Sequence, residues 1–165
     1  FVVREREEGS KQLQLVSGVS VPLYWLSHFV FDLLSFAVTG VLIFCVFLMF
    51  SRQEYIGNTE NFEATLTLIA VFGLSAILGA YAVSFAFNSH ATAQNTTLMG
   101  YFIVGFLVTA LVFQLDSVSE SAREIAKILR FVFRVVPVFA LADGMLGLAS
   151  LERVRVITGG TASPW

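Results

Sequence analysis

Charge is what this sequence has least of. Only 13% of its 165 residues are Asp, Glu, Lys or Arg, against about 25% in an ordinary soluble domain. The few charges are also segregated. Between Gln12 and Ser51 the acids and bases are limited to His28 and Asp32, and from Ala64 to Leu115 there is no Asp, Glu, Lys or Arg. A water-soluble fold cannot leave such stretches without charged surface, so that class is excluded. The net charge of −2 comes without a clustered basic footprint, which argues against a nucleic-acid partner. The single Cys45 excludes an internal disulfide framework and a cysteine metal site. Placed mid-run, it reads as a small buried hydrophobe.

Chemistry-bearing motifs are missing too. There is no phosphate-binding Gly-x-x-x-x-Gly-Lys-Ser/Thr loop, no His-Glu-x-x-His and no Gly-x-Ser-x-Gly. His90 stands alone in a polar loop. The expectation is therefore no catalytic residue, no metal site, no cofactor site and no enzyme activity in this chain. Nor is there a basic-then-apolar leader pattern. Both ends read as cut, so the chain is expected to be an excerpt of a larger protein.

What remains is apolar: 56% hydrophobic residues, with 17 Phe. The fold class this implies is an all-α integral membrane protein. A first span is read over 24–50, with Tyr24 and Trp25 at the interface where such aromatics belong. A second is read over 64–87 and a third over 98–115; about 20 apolar residues suffice to cross. Gly73, Ala76, Gly79, Ala80 and Ser84 put small side chains on one face of the second span. That face serves either close helix packing or the lining of a path. Polar connectors lie between the spans, and Asn95-Thr96-Thr97 fits a glycosylation acceptor if its loop faces the lumen.

From Ser119 to Val136 the pattern changes. Arg123, Lys127, Arg130 and Arg134 fall at i, i+4, i+7 and i+11, opposite Ile125, Ile128, Leu129, Val132 and Val136. Such a basic face against an apolar one suits a helix lying in the membrane interface. Pro137 then breaks the helix. The whole of 119–149 is read as an amphipathic or re-entrant hairpin, tolerable in lipid only if packed on other protein. Residues 150–165 are read as a loop. Three crossings from a cytoplasmic start would put these arginines outside, against the positive-inside tendency, so the residues alone leave orientation open.

Two polar features stand out. His28 and Asp32, one turn apart, share a face of the first span, and a carboxylate at depth needs a partner. They serve as a structural pair bonding across helices, in substrate passage or gating, or as an acyltransferase-like His-x-x-x-Asp. At the front, six charges crowd the first eleven residues. Residues 1–20 read as a juxtamembrane helix carrying a Glu7–Lys11 pair, a small apolar side at Leu13 and Val16, and a bend at Gly18. It is either a solvated helix or an element that passes motion from a cytoplasmic partner into the membrane.

"REREEGSKQLQLVSGVSVPLYWLSHFVFD" resembles the A subfamily of ABC transporters, the eukaryotic lipid exporters. There a charged cytoplasmic segment runs into a similar Ser-Gly-Val, an aromatic Tyr-Trp-Leu-Ser and an Asp. "RQEYIGNTENFEA" resembles that family's short extracellular loop and "SFAFNSHATAQN" its cytoplasmic turn. "ILRFVFRVVPVFALADGMLGLAS" resembles its extracellular hairpin, and "ASPW" the approach to a last span. The resemblance covers nearly the whole chain. One departure is "FALADGM" where the family reads "FCLGRGL", so Ala140, Ala142 and Asp143 replace Cys, Gly and Arg.

The resemblance implies a cytoplasmic start, three crossings and an outer hairpin, with Asn95 cytoplasmic and unglycosylated. It implies a partial transmembrane domain in a plasma or intracellular vesicle membrane, moving lipid at the expense of ATP. The partners are then the bilayer, a lipid substrate, the other transmembrane half of the same polypeptide, and nucleotide-binding domains that would hold ATP and Mg. Arg4, Glu5, Glu7, Glu8, Lys11, Gln12 and Gly18 would form the coupling element. The alternatives are a G-subfamily ABC membrane domain and a non-ABC scaffold or channel segment.

Overall fold

The structure is a computed structural model that describes residues 2–158. Its first two elements are short helices, α1 (Val2–Glu7) and α2 (Ser10–Val16). They are not the single helix expected over 1–20. Gly9 breaks them with φ of 75°, and Gly18 follows with φ of 102°, left-handed conformations that only glycine adopts without strain. The break separates Glu7 from Lys11, so their i, i+4 pair does not form. Arg4 pairs with Glu8 instead, Nε to Oε1 at 2.8 Å.

Three stretches are long and apolar enough to cross a membrane. The first is α3 (Val21–Met49), which Pro22 opens at a position where its missing N–H costs nothing. After the short α4 (Gln53–Ile56), α5 (Thr59–Ser84) returns. The third is built from α6 (His90–Phe102), a π-helical segment (Ile103–Val108) and α7 (Thr109–Val118). It begins eight residues before the expected Leu98, because the polar "HATAQNTT" is helical and not a loop. Thr109 Oγ1 donates to the Val104 carbonyl at 3.3 Å beside the π segment. No strand occurs among the described residues.

Contact between the spans runs through glycines. The Phe36 ring of α3 lies on the bare backbone of Gly73 in α5, where a Cβ would overlap it. Part of the small-residue face of α5 thus takes up packing. Elsewhere the apolar side chains point outward: Leu34, Val38, Val41 and Leu42 are all at least 60% exposed. Cys45 shares that exposure, which corrects its reading as buried. Outward-facing hydrophobes at this density need lipid or another membrane helix around them.

At the far end from α1, the chain folds back twice. Helix α8 (Glu120–Phe133) starts at Ser119, whose hydroxyl accepts from the Ala122 N–H at 3.2 Å. It packs on α7, joining Val112, Ala126 and Phe139 in a fully buried cluster. After a turn, α9 (Pro137–Thr158) packs along α5, α4 and the π segment. Val138 Cγ2 would lie 2.6 Å from a Cβ at Gly105, and Leu68 Cδ2 2.8 Å from one at Gly144. Helix α9 continues through 150–158, where a loop was expected, since no Gly or Pro interrupts that run. Residues 159–165, including "ASPW", lie outside the described residues.

Gly73→Leu should force Phe36 away and cost roughly 1–3 kcal/mol, the usual penalty of overpacking. Gly79→Ala, which meets nothing within 4 Å, should be neutral. Thermal unfolding of the full-length protein in detergent checks the pair; equal midpoints would show that the close approach does not hold these helices.

Candidate functional site

The charged N-terminal segment lies across one end of the three spans as a strut. Val2 and Val3 are its buried underside, at 7% and 6% exposure. Glu5, Arg6 and Glu7 then each reach a different part of the helical bundle. Glu5 Oε2 accepts from the Tyr24 hydroxyl at 2.7 Å and from His28 Nε2 at 3.1 Å, both on α3. The Arg6 guanidinium donates to the carbonyls of Ser84, at 3.0 Å, and of Phe87, where α5 ends. The Glu7 carboxylate accepts from the His90 N–H at 2.8 Å, where α6 begins.

The signs match the helix ends. The C-terminal end of α5 carries partial negative charge and its Ser84 carbonyl receives a cation, while the N-terminal end of α6 carries partial positive charge and its His90 N–H receives an anion. Ser89 occupies the N-cap position of α6 but makes no capping bond there, so the cap comes from Glu7, far away in the chain. Lys11 completes the strut from α2: its ammonium sits 5.2 Å from the Tyr24 ring centroid and 5.0 Å from that of Trp25, cation–π contacts with two interfacial aromatics. The opposite side is open. Arg4 and Glu8 keep 61% and 53% side-chain exposure, and Gln12, Leu13 and Val16 are exposed with them.

His28 and Asp32 share a face, and each reaches another helix. His28 turns back to α1, whereas Asp32 Oδ2 accepts from the Tyr81 hydroxyl of α5 at 2.5 Å. Trp25 packs edge-on against Tyr81 at 5.4 Å and tilted against Phe85 at 5.8 Å. Tyr81 is the functional residue that sequence reasoning missed. It sits in a stretch without charges, and its only signal is a hydroxyl less than one turn from the C-terminal end of α5.

The basic stripe of α8 is only partly free. Arg130 lies between two carboxylates, Asp116 of α7 at 2.6 Å and Asp143 of α9 at 2.9 Å. Burial alone would pull its pKa down; the two carboxylates outweigh that and hold it above the usual value. Arg134 reaches Asp143 at 3.4 Å, and Lys127 pairs with Glu124 at 2.7 Å. Arg123 touches the Asp116 carbonyl at 3.5 Å. Of the four cations on this face, Arg130 joins three helices, α7, α8 and α9. The departure at 143 fits this lock, since an Arg there would face Arg130 and Arg134 with like charge.

Two outcomes follow from these contacts. Glu7→Gln should weaken the cap of α6 and speed amide exchange at 90–93 and in α1 by about fivefold, the worth of roughly 1 kcal/mol; unchanged exchange would remove Glu7 from the strut. Arg130→Met should destabilise by roughly 1–3 kcal/mol, less than the 3–5 of a fully buried pair, because its side chain keeps 30% exposure. Adding Asp143→Asn should recover part of that loss in the same unfolding measurement.

Comparison with known proteins agrees with this architecture. The pattern of the ABC-2 family transporter protein matches residues 1–163. The bovine (Bos taurus) retinal-specific phospholipid-transporting ATPase ABCA4 is 31% identical over 157 residues, covering 93% of this chain and 7% of that protein. The rat (Rattus norvegicus) ATP-binding cassette sub-family A member 7 is 31% identical over 148 residues, covering 89% and 7%. The human (Homo sapiens) sub-family A member 13 is 30% identical over 152 residues, covering 89% and 3%. The chain thus spans less than a tenth of the length of these relatives. With three apolar spans and a match along nearly its full length, this multi-pass membrane chain belongs to the ABC-2 family of transporter proteins.

Proposed function

We propose that this chain is a transmembrane-domain segment of an ATP-driven transporter that moves lipid, and that residues 4–18 couple it to a nucleotide-binding domain elsewhere in the parent polypeptide. The observation that carries the reading is the two-sidedness of the strut. Its inner side is fixed to α3, α5 and α6 by Glu5, Arg6 and Glu7. Its outer side presents Arg4, Glu8 and Gln12 to a partner. A push on the outer side would move three helix ends together, which a merely solvated helix has no means to do.

ATP and Mg chemistry would be supplied by the nucleotide-binding domains, and this chain's part is to bind them and carry their motion. Lipid as cargo rests on the relatives whose names describe phospholipid-transporting ATPases. In this reading the strut lies on the cytoplasmic side and the α8–α9 hairpin on the extracellular side, locked by Arg130. The parent would also need its second transmembrane half to enclose the exposed apolar face of α3. No observation favours the G-subfamily or channel alternatives.

The test is a charge swap, Arg4→Glu with Glu8→Lys, in the full-length parent reconstituted in lipid. The swap keeps the i, i+4 pair and so leaves the strut folded, but presents the reversed field to a partner. Lipid-stimulated ATPase and export should fall about tenfold or more, the worth of one lost hydrogen bond to a charged group. Full stimulation and export in the swapped protein would overturn the coupling role.

A further inference from the structure

The hairpin end of the molecule carries charges within the thickness of the spans. Val138, at the start of α9, rests on Gly105, eleven residues before Asp116, the first charge after the apolar run of the third span. Gly144 rests on Leu68, five residues beyond Glu63, the last charge before the apolar run of α5. At ~1.5 Å per residue, both routes set Asp143 about 9 Å below the level of Glu63 and Asp116. Arg134 lies at the turn between α8 and α9, nearer the level of Val138, and reaches Asp143 at 3.4 Å.

These charges line one cavity of about 520 Å³ between α7, α8 and α9, with Asp116 and Ser150 toward its rim and Arg134 and Asp143 at its floor. Arg130 crosses it from one carboxylate to the other. The Arg134 side chain keeps 65% exposure, so little protein covers its five donors. At that depth the uncovered surroundings are either hydrocarbon or water. A guanidinium in hydrocarbon is costly, and ionisable groups within spans face a bundle interior or a water-filled cavity. The volume is far above the ~30 Å³ that one water occupies, and the polar partners that water needs are on its walls.

We infer that this cavity is a water-filled vestibule, which enters the bundle beside Asp116 and admits water and small hydrophilic solutes down to Arg134. Two arginines and two aspartates line it, so its charge balances and neither sign of solute is shut out. Water there also weakens the attraction between Arg130 and its carboxylates relative to a dry interior. Helices α8 and α9 can then part from α7 at this end without leaving bare ions in hydrocarbon. The vestibule is separate from the coupling role and needs only that the apolar spans cross a membrane.

The experiment uses the full-length protein in nanodiscs without nucleotide, which expose both faces and make the result independent of orientation and coupling. A membrane-impermeant methanethiosulfonate is applied in a cationic and an anionic form, and modified peptides are timed by mass spectrometry. Arg134→Cys and Val135→Cys are neighbours at one depth; Arg134 lines the cavity, whereas Val135, 85% exposed, does not. Leu146→Cys, on the cavity wall, is paired with Leu66→Cys, exposed at matching depth on α5; this second pair leaves every charge in place. In each pair the first cysteine should react about tenfold faster or more, because the thiolate is the reactive form and apolar surroundings suppress it. Both reagent forms should modify Leu146→Cys. Equal rates within either pair, or modification of Leu146→Cys by one form alone, would overturn the vestibule.

Discussion

A helix that crosses a membrane must end somewhere, and its last backbone groups are left without partners at the boundary where water becomes scarce. At one end of this chain that problem is solved for two helices at once. Arg6 takes the last carbonyl of α5, at Ser84, together with that of Phe87 in the connecting turn at 85–89, and Glu7 takes the first N–H of α6. Adjacent side chains of opposite sign thus serve adjacent helix ends of opposite dipole. Much of the arrangement around it depends on this match: it holds α1 against the bundle, and α1 in turn positions Glu5 over Tyr24 and His28 of α3.

Inside the bilayer the hydrophobic effect cannot drive helices together, so close packing and polar contacts must. The chain uses one of each between α3 and α5: Phe36 on Gly73, and Asp32 with Tyr81. Both lie on the same interface, and the aromatic cluster of Trp25, Tyr81 and Phe85 continues it toward the strut. Asp32 is tolerable at its depth because a hydroxyl from the neighbouring helix meets it. The contact ties α3 to α5, while Leu34, Val38, Val41 and Leu42 of α3 point outward.

The three spans were legible in the sequence because long charge-free runs have no other explanation in a folded chain. The beginning of α6 was not, since its cap is the Glu7 carboxylate and nothing near His90 announces a helix start. The shared face of His28 and Asp32 followed from their spacing, yet their partners did not, because Glu5 and Tyr81 belong to other helices. Similarly, the 3.6-residue period placed four cations on one side of α8. It could not tell that Arg130 turns between Asp116 and Asp143 while Lys127 stays with Glu124. Periodicity reports which face a residue occupies; what that face meets is decided by tertiary packing. The break at Gly9 belongs to a third kind: glycine permits a left-handed turn without requiring it, so one helix and two were equally compatible with the letters.

The two ends of the molecule are held by the same kind of device, and the difference between them is informative. At the strut, ions meet backbone dipoles; at the hairpin, Arg130 meets carboxylates from α7 and α9. Between them, α9 touches the spans at two glycines, Gly144 against Leu68 of α5 and Gly105 against Val138 in the π segment. A force entering at α1 would therefore reach the hairpin by two routes, along α5 and along α6. The α5 route is an unbroken helix of 26 residues. The α6 route passes the π segment, where the hydrogen-bond register of the helix changes and where such bulges often mark functional sites. Gly105 lies within that segment, so a change of register there would move a surface against which Val138 rests. The stiff route fixes where α9 sits, and the route through the π segment is the one with room to alter it.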